Sequence, residues 1–109
     1  MTWDMSEKDR PTAFVDIDNT LLLWTGSVGD GTPRVNDRLI GALRAWKSKV
    51  KGAVYLWSFG GATHCRNAAK FAQIEDLVDG YVGKPSCIID DDQSWLGART
   101  AKFLPGDFK

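Results

Sequence analysis

Cysteine, histidine and glutamate are all scarce in this chain. Two cysteines, Cys65 and Cys87, cannot make the bridged framework that staples small secreted domains, so both are expected to be reduced and in or near the core. With a single histidine, His64, there is no His/Cys clustering of the kind a zinc site needs; His64 itself is expected to face solvent and is given no role. Long apolar runs are missing too. Stretches such as Leu21 to Trp24 are far too short to span a bilayer, so no membrane segment is expected. The first eight residues hold no apolar signal segment, which sets the expectation of a cytoplasmic protein. Net charge is zero, with 14 basic and 14 acidic side chains. The strong basic excess of a nucleic-acid binder is therefore absent, and a nucleic-acid partner has no support from charge. The 109 residues are 43% hydrophobic, the profile of one globular domain and not of a disordered or fibrous chain.

What the chain does have is aspartate: 12 Asp against 2 Glu. Aspartate favours turns, caps and hard-cation sites over helix interiors. Five of the twelve form two tight clusters, Asp16 with Asp18 and Asp90 with Asp91 and Asp92. The rest of the chain carries 14 basic and 9 acidic residues, a mildly basic shell around a concentrated acidic site. Such a site suits a divalent cation, and the shell tolerates an anionic substrate.

The pattern along the chain alternates strands with helices. Residues 1–11 read as a loose leader, and Thr12 to Ile17 as a buried strand. Residues 24–33, with three glycines and a proline, form a loop or tight hairpin. From Val35 on, Leu39, Leu43, Trp46 and Val50 recur at helical spacing until Gly52. Ala53 to Trp57 is a second strand, left by the turn Ser58-Phe59-Gly60-Gly61. Cys65, Ala68, Ala69 and Ala72 make the inner stripe of a second helix. Gly80 to Val82 is a short strand, Ser86 to Ile89 a further one, and residues 93–109 a tail with a helix near 94–103. This order predicts an α/β fold with a parallel sheet, in one domain spanning 1–109. The six basic residues between 34 and 51 read as a solvated helix face, with a polyanion-facing strip as the other reading, and Trp24 reads as local packing, with a place at the substrate entrance as its alternative.

In an open parallel sheet, ligands bind beyond the carboxyl ends of the strands. Asp16 and Asp18, Ser58, and Asp90 to Asp92 all fall at such ends, with Lys84 just ahead of the last set. Phe14-Val15-Asp16-Ile17-Asp18-Asn19-Thr20-Leu21 then resembles the first motif of the haloacid dehalogenase-like hydrolase superfamily, an apolar strand followed by Asp-x-Asp-x-Thr. Tyr55-Leu56-Trp57-Ser58 resembles its second motif, Gly83-Lys84-Pro85 its third, and Cys87-Ile88-Ile89-Asp90-Asp91-Asp92 its fourth. The four come in the family's order across residues 12–92.

The resemblance implies a three-layer Rossmann-like parallel sheet and a Mg²⁺-dependent phosphatase, with phosphotransfer as a variant. Asp16 would be the nucleophile that becomes an aspartyl-phosphate. Asp18 would be the general acid and base, its backbone carbonyl reaching the metal; a bend after Asp16 would bring both acids to one site. Ser58 and the N–H groups of Phe59 and Gly60 would hold phosphoryl oxygens at a helix N-terminus. Lys84 would pair with the nucleophile and the phosphoryl group. Asp91 is the first choice for the remaining Mg²⁺ ligand and Asp90 the second, hard oxygen donors that fit Mg²⁺. The intervals between motifs hold no cap domain, which implies an open site and a phosphorylated substrate of unknown size, macromolecular substrates and oligomers included. Two other classes fit part of the pattern: a phospho-acceptor signalling module, whose motif order differs, and a catalytically silent phosphate-binding domain.

Overall fold

A computed structural model describes residues 10–24 and 31–87. Its strands are β1 (Thr12–Asp16), β2 (Leu22–Leu23), β3 (Arg34–Val35), β4 (Ala53–Ser58) and β5 (Gly80–Gly83); its helices are α1 (Asp37–Val50) and α2 (Gly61–Ala72). β1, β4 and β5 form a parallel sheet in that order, Asp16 lying opposite Trp57 and Ser58 opposite Gly83. The expected α/β class and parallel sheet are therefore present. β2 and β3 pair antiparallel, Leu22 with Val35 and Leu23 with Arg34, while residues 25–30 of the glycine-rich stretch, expected as a loop or tight hairpin, lie outside the described residues.

The two-residue period of the strands sorts their side chains. Val15, Val54 and Leu56 point to one face and are buried with Leu39, Ile40 and Leu43 of α1 and Cys65, Ala68 and Ala69 of α2. Both helices thus cover the same face, the sense that successive right-handed crossovers impose. On the other face Phe14, Tyr55 and Trp57 line up, with Phe14 centred 5.5 Å from Tyr55 and 5.0 Å from Trp57. Gly80 lies beneath the Tyr55 ring, and a Cβ there would stand 2.7 Å from it, so glycine is what lets β5 dock. Among the described residues there are consequently two layers, where three were expected. The helix expected near 94–103 lies outside the described residues.

Several boundaries differ from the sequence reading. β1 stops at Asp16 because Ile17 opens a turn, its carbonyl accepting from Thr20, Leu21 and Leu22. α1 begins at Asp37 and not at Val35, because Asn36 is the cap: its side chain accepts from the Leu39 N–H at 3.1 Å. A cap of this kind contributes about 1 kcal/mol. Ser86 and Cys87 are not in a strand, and Cys87 is exposed; the remainder of that expected strand, from 88, lies outside the described residues. The end of the leader is held rather than loose. Arg10 donates to the carbonyls of Lys51 and Gly52, and the Pro11 carbonyl accepts from Ala53.

Asp79 ties the entry to β5 to α1 and β4. Its carboxylate accepts from Lys47 Nζ and from the Val54 N–H, both at 2.8 Å. Partial burial is the largest single influence and by itself would push this carboxyl up. The Lys47 ammonium, the Val54 N–H and Arg10 together outweigh it and hold the group below the usual aspartate range. A carboxyl whose pKa is lower folded than unfolded adds stability above its unfolded value, about 4, and loses it as pH falls through the folded value. Lowering pH from 6 to 3 is therefore expected to reduce Tm, and the drop should be smaller in Asp79→Asn, measured by thermal melts of both proteins. An equal drop in the variant would remove Asp79 from the account. The basic residues between 34 and 51 are otherwise exposed, as a solvated face requires; Lys47 alone is partly buried, and Arg44 holds Asp76 at the surface through two nitrogens, at 2.8 and 3.2 Å.

Candidate active site

Asp16 is the last residue of β1, and the alternation of the chain continues past it. Ile17 turns into the core, fully buried, while Asp16 and Asp18 on either side of it point away. The chain reverses directly afterwards through Asn19 in the left-handed region (φ 64°), whose N–H donates to the Leu22 carbonyl at 2.7 Å. Asn36, itself buried, fastens this turn from the other side: its amide donates to the Thr20 carbonyl at 3.0 Å, and its N–H to the Leu21 carbonyl at 2.9 Å. One asparagine thereby caps α1 and fixes the loop that carries the two aspartates.

Lys84 arrives at Asp16 from a different strand. The β4–β5 ladder runs one step beyond Gly83, with the Lys84 N–H donating to the Ser58 carbonyl at 2.8 Å. The side chain then reaches across the ends of β4 and β1, placing Nζ 3.0 Å from Asp16 Oδ1. Its ammonium lies 5.4 Å from the centre of the Trp57 ring and 5.2 Å from that of Phe59, so aromatic faces bound the ion pair.

Ser58 closes β4 and is buried, and its Oγ accepts from the Gly60 N–H at 3.0 Å. That contact modifies the expected phosphate loop, because the Gly60 N–H already has a partner in Ser58. Helix α2 starts directly after it, with Gly60 at the cap position making no side-chain capping bond. Gly61 follows at φ 91°, a conformation that suits glycine. Asp16, Asp18, Ser58, Phe59, Gly60 and Lys84 are thus drawn together at the carboxyl ends of three parallel strands. Asp90, Asp91 and Asp92 lie outside the described residues.

Two further side chains join this cluster: His64, to which the sequence reading gave no role, and Trp24, which it read first as local packing. His64, in the first turn of α2, places Nε2 3.1 Å from Asp18 Oδ2 and does not simply face solvent. Trp24 donates its indole N–H to Asp18 Oδ1 at 3.0 Å, which places it beside the candidate site, the second of its two readings. Each oxygen of Asp18 therefore meets a donor-capable ring nitrogen. Helical spacing places His64 one turn into α2, but only the fold shows that this turn faces the Asp18 loop. Cys65, next to it, is buried and takes no such part. Burial pushes its thiol up, keeping it protonated, and it points at the Val82 carbonyl, 3.7 Å away.

The donor chemistry fits a hard divalent cation: a carboxylate on Asp16 and a carbonyl at Asp18 are oxygen donors at one strand end. Among the described residues, no three His, Cys, Asp or Glu side chains group closely enough to hold a metal unaided. Nor is any described helix long and apolar enough to cross a membrane. No family model, curated protein or solved structure matches the chain.

Proposed function

We propose that the chain is a phosphoester hydrolase of the haloacid dehalogenase-like type, built on a minimal capless Rossmann-like domain. The observation that carries this reading is the contact of Lys84 Nζ with Asp16 Oδ1, with the Asp18 carboxylate two residues on at the same strand end. A carboxylate beside a fixed ammonium can approach an anionic phosphoryl group that it would otherwise repel. The sheet supports the reading as well, since the crevice beyond the carboxyl ends of parallel strands is where such folds bind ligands.

In the proposed reaction an Asp16 oxygen attacks phosphorus and the ester P–O bond breaks. The departing oxygen takes a proton from Asp18. Asp18, now a carboxylate, takes a proton from water as that water attacks the acyl-phosphate. The bond from phosphorus to Asp16 breaks, releasing inorganic phosphate. Lys84 balances charge on Asp16 and the transferring group throughout, while the Ser58 hydroxyl and the Phe59 N–H orient phosphoryl oxygens at the start of α2. The Asp16 carboxylate and the Asp18 carbonyl would hold Mg²⁺, with Asp90 and Asp91 as the further ligands. Bound there, Mg²⁺ would supply charge neutralisation for the carboxylate and phosphoryl oxygens.

The test is steady release of phosphate from p-nitrophenyl phosphate, expected with Mg²⁺ present and lost on chelation. Stoichiometric phosphorylation without turnover would instead favour an acceptor module. Neither turnover nor phosphorylation would favour a silent binding domain, and either result overturns the hydrolase.

A further inference from the structure

We propose that the phosphate ester taken by this site carries a planar base, making it a nucleoside monophosphate, with the exposed rings of Phe59 and Trp24 as its stacking surfaces. The inference rests on the hydrolase reading and goes beyond it by naming the substrate class.

Single exposed apolar side chains are ordinary on any protein surface. These two are set apart by what they touch. Phe59 is 77% exposed although the residue before it, Ser58, is buried. Its ring makes one close electrostatic contact, with the Lys84 ammonium, and that ammonium is bonded to Asp16. Trp24 is 44% exposed, and its indole is fixed by the hydrogen bond to Asp18. Asp18 therefore touches one solvent-open aromatic ring directly, and Asp16 is linked to another through the Lys84 ammonium. Trp57 also faces Lys84, but its other neighbour is Phe14 within the sheet.

The chemistry orients the two rings. Asp18 must lie on the leaving-group side, since it gives that group its proton, so Trp24, bonded to Asp18, borders the leaving group. Phe59 stands just past the end of β4, against the Lys84 ammonium that pairs with Asp16. A leaving group with a flat π-face can stack on such a ring, whereas a purely aliphatic sugar or polyol offers no such face.

A polynucleotide would need a track of cations for its neighbouring phosphates. The strip on α1 that could have served is partly neutralised by acids of the same chain, Arg44 by Asp76 at the surface and Lys47 by Asp79. Net charge is zero. These observations favour a mononucleotide over a nucleic-acid strand.

The experiment compares kcat/KM for adenosine 5′-monophosphate and ribose 5-phosphate with Mg²⁺, which differ only by the base. The wild type is expected to prefer the nucleotide by about tenfold or more, the scale of one base–aromatic stack. Phe59→Leu should lower that ratio and Phe59→Tyr should keep it. Equal values for the two substrates, or a ratio unmoved in Phe59→Leu, would overturn the inference while leaving the hydrolase intact. Faster turnover of phosphotyrosine or of a phosphorylated oligonucleotide than of the mononucleotide would overturn it also. If none is hydrolysed, the hydrolase reading fails. Stacking is then read by quenching of tryptophan fluorescence, expected with adenosine 5′-monophosphate and not with ribose 5-phosphate; no difference between them overturns the stacking surfaces.

Discussion

Asp16→Asn is expected to abolish phosphate release, by at least about 10³-fold, while leaving the protein folded. The change replaces one carboxylate oxygen by an amide nitrogen of nearly the same size. Position 16 is partly exposed, and the substitution creates no cavity and leaves no buried charge alone. The amide oxygen still accepts from Lys84, so the ammonium keeps a partner and the loop keeps its shape. What disappears is the anionic oxygen that forms the bond to phosphorus. Initial rates with p-nitrophenyl phosphate, alongside a thermal melt of the same preparation, make the check. A folded variant with wild-type turnover would show that Asp16 is not the nucleophile.

Asp18→Asn is the second large effect, with an expected loss of roughly 10²- to 10⁴-fold, the range for removing a positioned acid–base group. The contacts around Asp18 make this substitution informative. The Trp24 N–H can only donate, so the amide oxygen of the variant must face it. The amide nitrogen then faces His64 Nε2, which can accept if the ring carries its proton on Nδ1. The variant can thus keep its place between the two rings while losing its proton-transfer capacity. The expected signature is a loss that depends on the leaving group. An alkyl phosphate, whose departing oxygen needs a proton, should suffer more than p-nitrophenyl phosphate, whose phenolate is the better leaving group. A loss equal for both would place the limiting defect in hydrolysis of the aspartyl-phosphate, the step both substrates share and in which Asp18 is the base, whereas wild-type turnover of both would remove Asp18 as a proton carrier.

Much of the sheet and its helices is legible in the sequence because the signals are periodic. The run Ala53 to Trp57 is apolar and β-branched or aromatic where it must be, and Cys65, Ala68 and Ala69 repeat at the spacing of a helix face that the structure buries. The chemistry-bearing residues Asp16, Asp18, Ser58 and Lys84 are legible for a different reason: strand ends are visible as changes from apolar to polar, and parallel topology gathers those ends. The parts that escape are those decided by three-dimensional neighbours. His64 looks like a solvent-facing residue until α2 is laid against the Asp18 loop. Trp24 looks like packing until the β2–β3 hairpin turns its indole back six residues. Asn36 has the right chemistry for a cap, yet its second task, holding the Thr20 carbonyl, depends on a contact that no local pattern encodes. Lys84, finally, owes its position to β5 as well as to any strand that follows it.

That last dependence reaches beyond the chemistry. β5 has only four residues, and among the described residues its hydrogen-bonding neighbour in the sheet is β4 alone. Strands this short can open at lower free energy than a whole domain melts. Each excursion that peels Gly83 from Ser58 also withdraws the cation from the acid it serves. The ion pair on which the proposed reaction depends is thus tied to the ladder of one four-residue strand and not to the interior beneath it.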